Sequence, residues 1–157
     1  MFKKPIPIHK KPESTRFHEM IRKFGDSPLT EMAKHEFFKA IVSGNLKEVE
    51  IIHHSLRNPN AKGKRGKTAL MAAAEKGHMD IIIFLVDKGA DIRAKDDMGC
   101  NATVYAIRNG HLETVNYFLS KGVDPKGKTD SGIPYTTIAE SNNHNEIAEL
   151  LKKAASE

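Results

Sequence analysis

Gly66-Lys67-Thr68-Ala69-Leu70-Met71-Ala72-Ala73-Ala74-Glu75-Lys76-Gly77-His78-Met79-Asp80-Ile81-Ile82-Ile83-Phe84-Leu85-Val86-Asp87-Lys88-Gly89-Ala90-Asp91 is the stretch on which the reading of the fold turns. Thr68 precedes a run of strong helix formers and offers a side-chain oxygen to the first free N–H groups. Gly77 supplies a residue that leaves a helix at positive φ. A second helix is expected from about Met79 to Lys88, ended by Gly89. Beyond it, residues 90–99 are too rich in turn formers to remain helical. The first helix is small-sided and so suits the inner, tighter side of a stack. The second, with Ile81, Ile82, Leu85 and Val86, suits the outer layer.

The same pattern recurs along the chain. Gly44, Gly77 and Gly110 are spaced by 33 residues, with Asn143 next in phase. Asn45, His78, His111 and His144 follow at the same step, as do Gly66, Gly99 and Gly132. Asn58, Asp91 and Asp124 form a fourth column, and Lys62, Lys95 and Lys128 a fifth. Five columns in one phase establish a repeat of helix, turn, helix and loop.

Composition sets the outer bounds. The 157 residues carry 25 Lys and Arg against 20 Asp and Glu, with a single cysteine. The length suits one domain. No apolar run is longer than Ile81 to Val86, which falls far short of the roughly 18 residues a membrane span needs. One cysteine closes no intramolecular disulfide, and the N-terminus lacks the apolar segment of a secretory signal. A reducing, cytoplasmic setting is therefore expected. The charge is uneven: residues 1–30 hold seven basic and three acidic residues, and the remainder is close to neutral. A second basic cluster comprises Arg57, Lys62, Lys64, Arg65 and Lys67.

Over about residues 32–157 the pattern resembles the ankyrin repeat. Gly66-Lys67-Thr68-Ala69-Leu70-Met71-Ala72-Ala73, Lys76-Gly77-His78-Met79-Asp80-Ile81-Ile82 and Leu85 to Ile92 carry the likeness. It returns more loosely at Asn109-Gly110-His111-Leu112-Glu113, at Leu119 to Asp124, and at Asn142-Asn143-His144-Asn145-Glu146-Ile147-Ala148. The first unit, from Glu36 to Val49, diverges most. The resemblance implies an all-α solenoid of about four units, near 32–65, 66–98, 99–131 and 132–157. It implies too that the turn histidines bond to backbone. The family's Thr-Pro-Leu-His start survives only as Thr68-Ala69-Leu70-Met71, Asn101-Ala102-Thr103-Val104 and Pro134-Tyr135-Thr136-Thr137, with its histidine missing throughout. Divergence in units one and four fits capping, and weakness in unit three predicts a less stable C-terminal half.

Residues 1–31 precede the repeats. Residues 1–14 read as a basic, extended tail, with three Pro and four Lys between Lys3 and Pro12. Residues 15–31 read as a capping helix and linker. Phe17, Met20, Ile21 and Phe24 form one apolar stripe, ended by Gly25. Covering the apolar end of the stack is its expected role, and binding a partner the alternative. Ser27-Pro28 then reads as N-cap and first residue of the next helix.

Catalytic and metal readings fail on geometry. Helices carrying His78, His111 and His144 would lie about 8–10 Å apart. A single zinc with Zn–N near 2.0–2.1 Å cannot be shared across that gap. His53 and His54 are adjacent on a helix and diverge, which points to packing or solvation. Cys100 has no local histidine to activate it, and Lys62-Gly63-Lys64-Arg65-Gly66-Lys67 lacks the spacing of a phosphate loop. No enzyme, catalytic residue, cofactor, metal or small-molecule substrate is expected.

The remaining reading is a non-enzymatic, scaffold-type module that binds another protein. In ankyrin proteins the loops project as fingers, and with the inner-helix faces they form the usual binding surface. On that resemblance the candidate partner-binding residues are Lys62, Arg65, Arg93, Lys95, Met98, Lys126 and Lys128 in the fingers. Glu75, Lys76, Arg108, Asn109, Ser141 and Asn142 join them at the inner-helix ends. The lysine column predicts a positive rim suited to an acidic segment of a partner. Met98 is apolar in a polar loop and could anchor a contact, and Ile83 is expected to face outward on the outer helix. Two other readings stand beside this one. In the first, the basic tail binds anionic membrane or nucleic acid. In the second, the tail is an address, or the chain is a bacterial effector acting on a host protein.

Overall fold

A computed structural model describes residues 28–56 and 58–157. The expected tail, the helix over residues 15–24, the cap at Ser27 and the side chain of Arg57 lie outside the described residues. Eight α-helices follow one another: α1 Pro28–Ser43, α2 Leu46–Leu56, α3 Ala69–Lys76, α4 Met79–Asp87, α5 Ala102–Arg108, α6 Leu112–Ser120, α7 Tyr135–Ser141 and α8 Asn145–Ala154. They pair as four hairpins, α1/α2 to α7/α8, each packed on the next. The architecture among the described residues is an all-helical solenoid.

Local chemistry explains the element ends. Pro28 opens α1, where a missing N–H costs nothing. Thr68 caps α3: its Oγ1 accepts from Met71 N–H at 3.3 Å, and the Met71 sulfur accepts from Thr68 N–H at 3.3 Å. Asn101 caps α5 by accepting from Val104 N–H at 3.1 Å. Gly77, at φ 71°, terminates α3 and lets the chain reverse into α4.

Packing follows the repeat register. Ala40, Ala73, Ala106 and Ala139 sit one per unit in the first-helix row, each 0–2% exposed. With only a Cβ at the contact, successive first helices approach closely and contact one another more extensively than successive second helices do. The first-helix row is therefore the tight, inner side. Ile52, Leu85, Phe118 and Leu151 form a matching buried column in the second-helix row, beside Val49, Ile82, Val115 and Ala148. These columns merge into one continuous apolar core.

The turns lock each unit to its predecessor. His78, His111 and His144 reach back to the carbonyls of Val42, Glu75 and Arg108 at 3.2, 2.9 and 3.0 Å. A carbonyl only accepts, so in each ring Nε2 carries the proton. This is the backbone-bonding role expected of that column. Each ring also lies over the preceding unit's glycine: a Cβ on Gly77 would stand 2.5 Å from His111 Nδ1. Asn143, next in the glycine column, keeps the same left-handed backbone at φ 61°.

Candidate functional site

The three loops before α3, α5 and α7 share one skeleton. Gly63, Asp96 and Thr129, one per loop, donate their N–H to the carbonyls of Lys67, Cys100 and Ile133 at 2.8, 3.0 and 3.0 Å. These narrow turns are the expected fingers, and they are tied side by side. Asp97 N–H donates to Arg65 O at 3.1 Å, and Asp91 N–H to Asn60 Oδ1 at 2.8 Å. Arg93 reaches Gly122 O at 3.2 Å, and Lys95 pairs with Asp130 of the next finger.

That last contact changes the reading of the lysine column. Lys62, Lys95 and Lys128 are all exposed, yet Lys95 carries its own carboxylate. The bond and charge of Asp130 push the Lys95 ammonium's pKa up. Lys62 and Lys128 have no ion pair among the described residues. The rim is a row of unequal cations: of the three lysines only Lys95 is ion-paired among the described residues, although Asp97 stands to Lys62 in the register that Asp130 has to Lys95.

The other predicted residues divide by what they touch. Arg65, Arg93, Lys126, Lys76, Arg108 and Ser141 are exposed, and Met98 is 58% exposed at its finger tip. Asn109 and Asn142 are exposed too, but their side-chain amides donate to the carbonyls of Tyr105 and Ile138 at 2.8 and 2.7 Å. Those two bonds satisfy last-turn carbonyls of α5 and α7, so both amides serve the helix ends. Glu75 is half-buried and pairs with Lys67 at 2.5 Å.

Lys67 opens a network that the repeat columns did not indicate. Its ammonium lies 4.3 Å over the Tyr105 ring while bonding Glu75. Tyr105 donates its hydroxyl to Asp96 Oδ2 at 2.6 Å. Asp96 is 8% exposed, and its Oδ1 accepts from the N–H groups of Met98 and Cys100, each at 2.9 Å. Arg108 contacts the Cys100 sulfur at 3.8 Å. Burial pushes the Asp96 carboxyl up, but the Tyr105 hydroxyl, the two amides and Arg108 outweigh it, leaving it below its ordinary value. Tyr105 is pushed up, first by burial and then by its bond to Asp96 and that residue's charge. One further link, Asn101 Nδ2 to Tyr135 OH at 2.7 Å, joins units three and four.

The network joins finger one, α3, finger two and α5 into one polar surface on the inner side. Its sequence signal was slight: Tyr105 stands where the register has Ala72 and Ile138, and Asp96 where it has Gly63 and Thr129.

Elsewhere the structure gives packing roles. His53 lies between Phe37 and Phe84, with ring centroids 6.2 and 5.4 Å away. Burial, then the charges of Lys88 and His54, hold its pKa below the ordinary value. Ile83 faces outward and is 41% exposed. Among the described residues no group of three His, Cys, Asp or Glu is placed to hold a metal. No described helix is long and apolar enough to cross a membrane.

Comparison with known proteins adds one positive finding. Residues 37–129 match the family model for ankyrin repeats, in three copies. Curated proteins give no match. The matched span covers more than half of the chain and runs from within α1 to the start of the third finger, with α7 and α8 beyond it. Repeats of this kind serve generally as protein–protein interaction modules. By the register of its helices and by that match, the chain belongs to the ankyrin-repeat family.

Proposed function

We propose that the chain is a non-enzymatic module that binds a partner protein across its fingers and inner-helix face. The observation that carries this reading is the network from Lys67 through Tyr105 and Asp96 to Cys100 and Arg108. It holds polar and aromatic groups of four elements in fixed positions on one side of the stack. A surface organised before the partner arrives loses less conformational freedom on binding. Around it, Lys62, Arg65, Arg93, Lys95, Lys126 and Lys128 form a cationic rim that would steer an acidic segment of the partner. Met98, Lys76, Arg108 and Ser141 complete the contact area. Cys100, buried and unpaired, fits a cytoplasmic setting for this scaffold role.

The test is a comparison of faces. A partner is captured with the wild-type chain, and its affinity is measured by calorimetry for two sets of variants. Arg65→Ala with Lys76→Ala and Arg108→Ala should weaken binding at least tenfold, about 1.4 kcal/mol or more. On the outer helices, Glu50→Lys with Glu113→Lys should change it less than threefold. The reverse ranking would remove the inner face from the account.

A further inference from the structure

The three fingers share a backbone skeleton but not a charge. Between the equivalent bridge positions, finger one carries Lys62, Lys64, Arg65 and Lys67 with no acid. Finger two carries Lys95 against Asp96 and Asp97, and finger three Lys128 against Asp130. Where finger one places Lys64, the register places aspartates in the other two. Of finger one's cations only Lys67 has a carboxylate partner, Glu75; Lys62, Lys64 and Arg65 are exposed and have no ion pair among the described residues. Between the bridge positions, finger one therefore carries three cations without an ion pair among the described residues, against Lys128 alone in the other two fingers.

The backbone singles out the same finger. Arg65 sits in the left-handed region at φ 58°, followed by Gly66 at φ 69°. The equivalent residues Met98 and Ser131 are not left-handed; in their fingers only Gly99 and Gly132 are. An L side chain held there is unfavourable and persists when the surroundings determine it. They do so here. Lys62 and Thr68 pair across the base, Gly63 N–H bonds Lys67 O, and Arg65 O accepts from Asp97 N–H. The tip is a two-residue turn closed by Lys67 N–H on Lys64 O at 3.2 Å, with Lys64 and Arg65 both exposed.

Building on the proposed binding face, we infer that finger one is the anchor for an acidic segment of the partner protein, and that Arg65 is a specificity residue. The segment sets its carboxylates against Lys62, Lys64 and Arg65, then continues over Lys67 and Tyr105 onto the inner-helix face. Arginine matches a carboxylate in a two-point geometry, which explains a cation at the strained position. Finger one presents no aromatic side chain, and the Lys67 ammonium 4.3 Å over the Tyr105 ring covers that face of the ring against a base, so a peptide is favoured over a nucleic acid.

The experiment uses the full chain and a fluorescein-labelled octapeptide of alternating Glu and Asp, followed by anisotropy at about 50 and 200 mM salt. A lysine octapeptide and an eight-phosphate oligothymidylate are the controls. Charge reversal of finger one (Lys62→Glu, Lys64→Glu, Arg65→Glu) should reduce acidic-peptide affinity at least tenfold. Reversal at Lys95, Lys126 and Lys128 should reduce it less than threefold. Arg65→Gly, which keeps the turn and removes the guanidinium, should fall between them with an unlowered Tm. Equal losses in both sets, no measurable binding by the wild type, or tighter binding of the oligothymidylate would each overturn the inference. If finger-one reversal fails while Lys76→Ala with Arg108→Ala still weakens the captured partner, the anchor is wrong and the binding face stands.

Discussion

Gly77→Val lowers the stability of the chain by about 3 kcal/mol, and urea denaturation followed by circular dichroism measures it. Two costs combine. A β-branched residue at φ 71° costs about 1–2 kcal/mol in backbone strain. Its Cβ also meets the His111 ring at 2.5–2.9 Å, while that ring is held by its bond to Glu75 O. Moving the ring forfeits a hydrogen bond of about 1 kcal/mol and the packing between units two and three. At roughly 2–4 °C per kcal/mol for a chain of this size, the Tm falls by about 6–12 °C. Gly77→Asn separates the two costs, because asparagine tolerates this backbone, as Asn143 does at φ 61°. It should still cost about 1–2 kcal/mol through the ring. A cost under about 0.5 kcal/mol would mean that the histidine wedge does not set the glycine column.

Phe118→Ala is the second large effect. Phe118 occupies the buried column of Ile52, Leu85 and Leu151, is the only aromatic in it, and is fully enclosed. Truncation leaves a cavity and costs about 3–5 kcal/mol. In a stack of units that contact only their neighbours, the loss stays local. All three tyrosines, Tyr105, Tyr117 and Tyr135, lie in units three and four, and there is no tryptophan. Tyrosine fluorescence therefore reports the C-terminal half alone. In Phe118→Ala that signal should be lost at lower urea than the helical signal, which retains units one and two. Coincident transitions for the two probes would show the stack to be one cooperative block, against the expected weakness of unit three.

What was legible in the sequence was whatever recurs. The 33-residue step placed both helices of each unit, the reversing turns and the fingers. The turn histidines took the bonds that the family resemblance implied. The alanine column at 40, 73, 106 and 139 lies in the same register. What was not legible lies where units differ. Lys95 meets Asp130, and Lys67 meets Tyr105, only after two units stack; the equivalent Lys62 and Asp97 form no ion pair among the described residues, and Cys100 and Ile138 hold the places of the second pair. Arg65 gives no local signal of a left-handed backbone, since its neighbours would suit several turns. Asn109 and Asn142 read as surface groups because a bond to a residue's own helix end looks the same in sequence as exposure. Met71 stands where the family's histidine is missing, and its sulfur accepts the Thr68 N–H, so the start of α3 keeps a reciprocal cap.

Hydrogen exchange on the chain, free and saturated with a captured partner, bears most directly on the claim that the inner side is the face that binds. Protection should grow in the three fingers and at the C-terminal ends of α3 and α5, with 62–67 and 95–101 changing most. The outer helices α4 and α6 should exchange as in the free chain. New protection confined to α4, α6 and α8, with unaltered fingers, would contradict it.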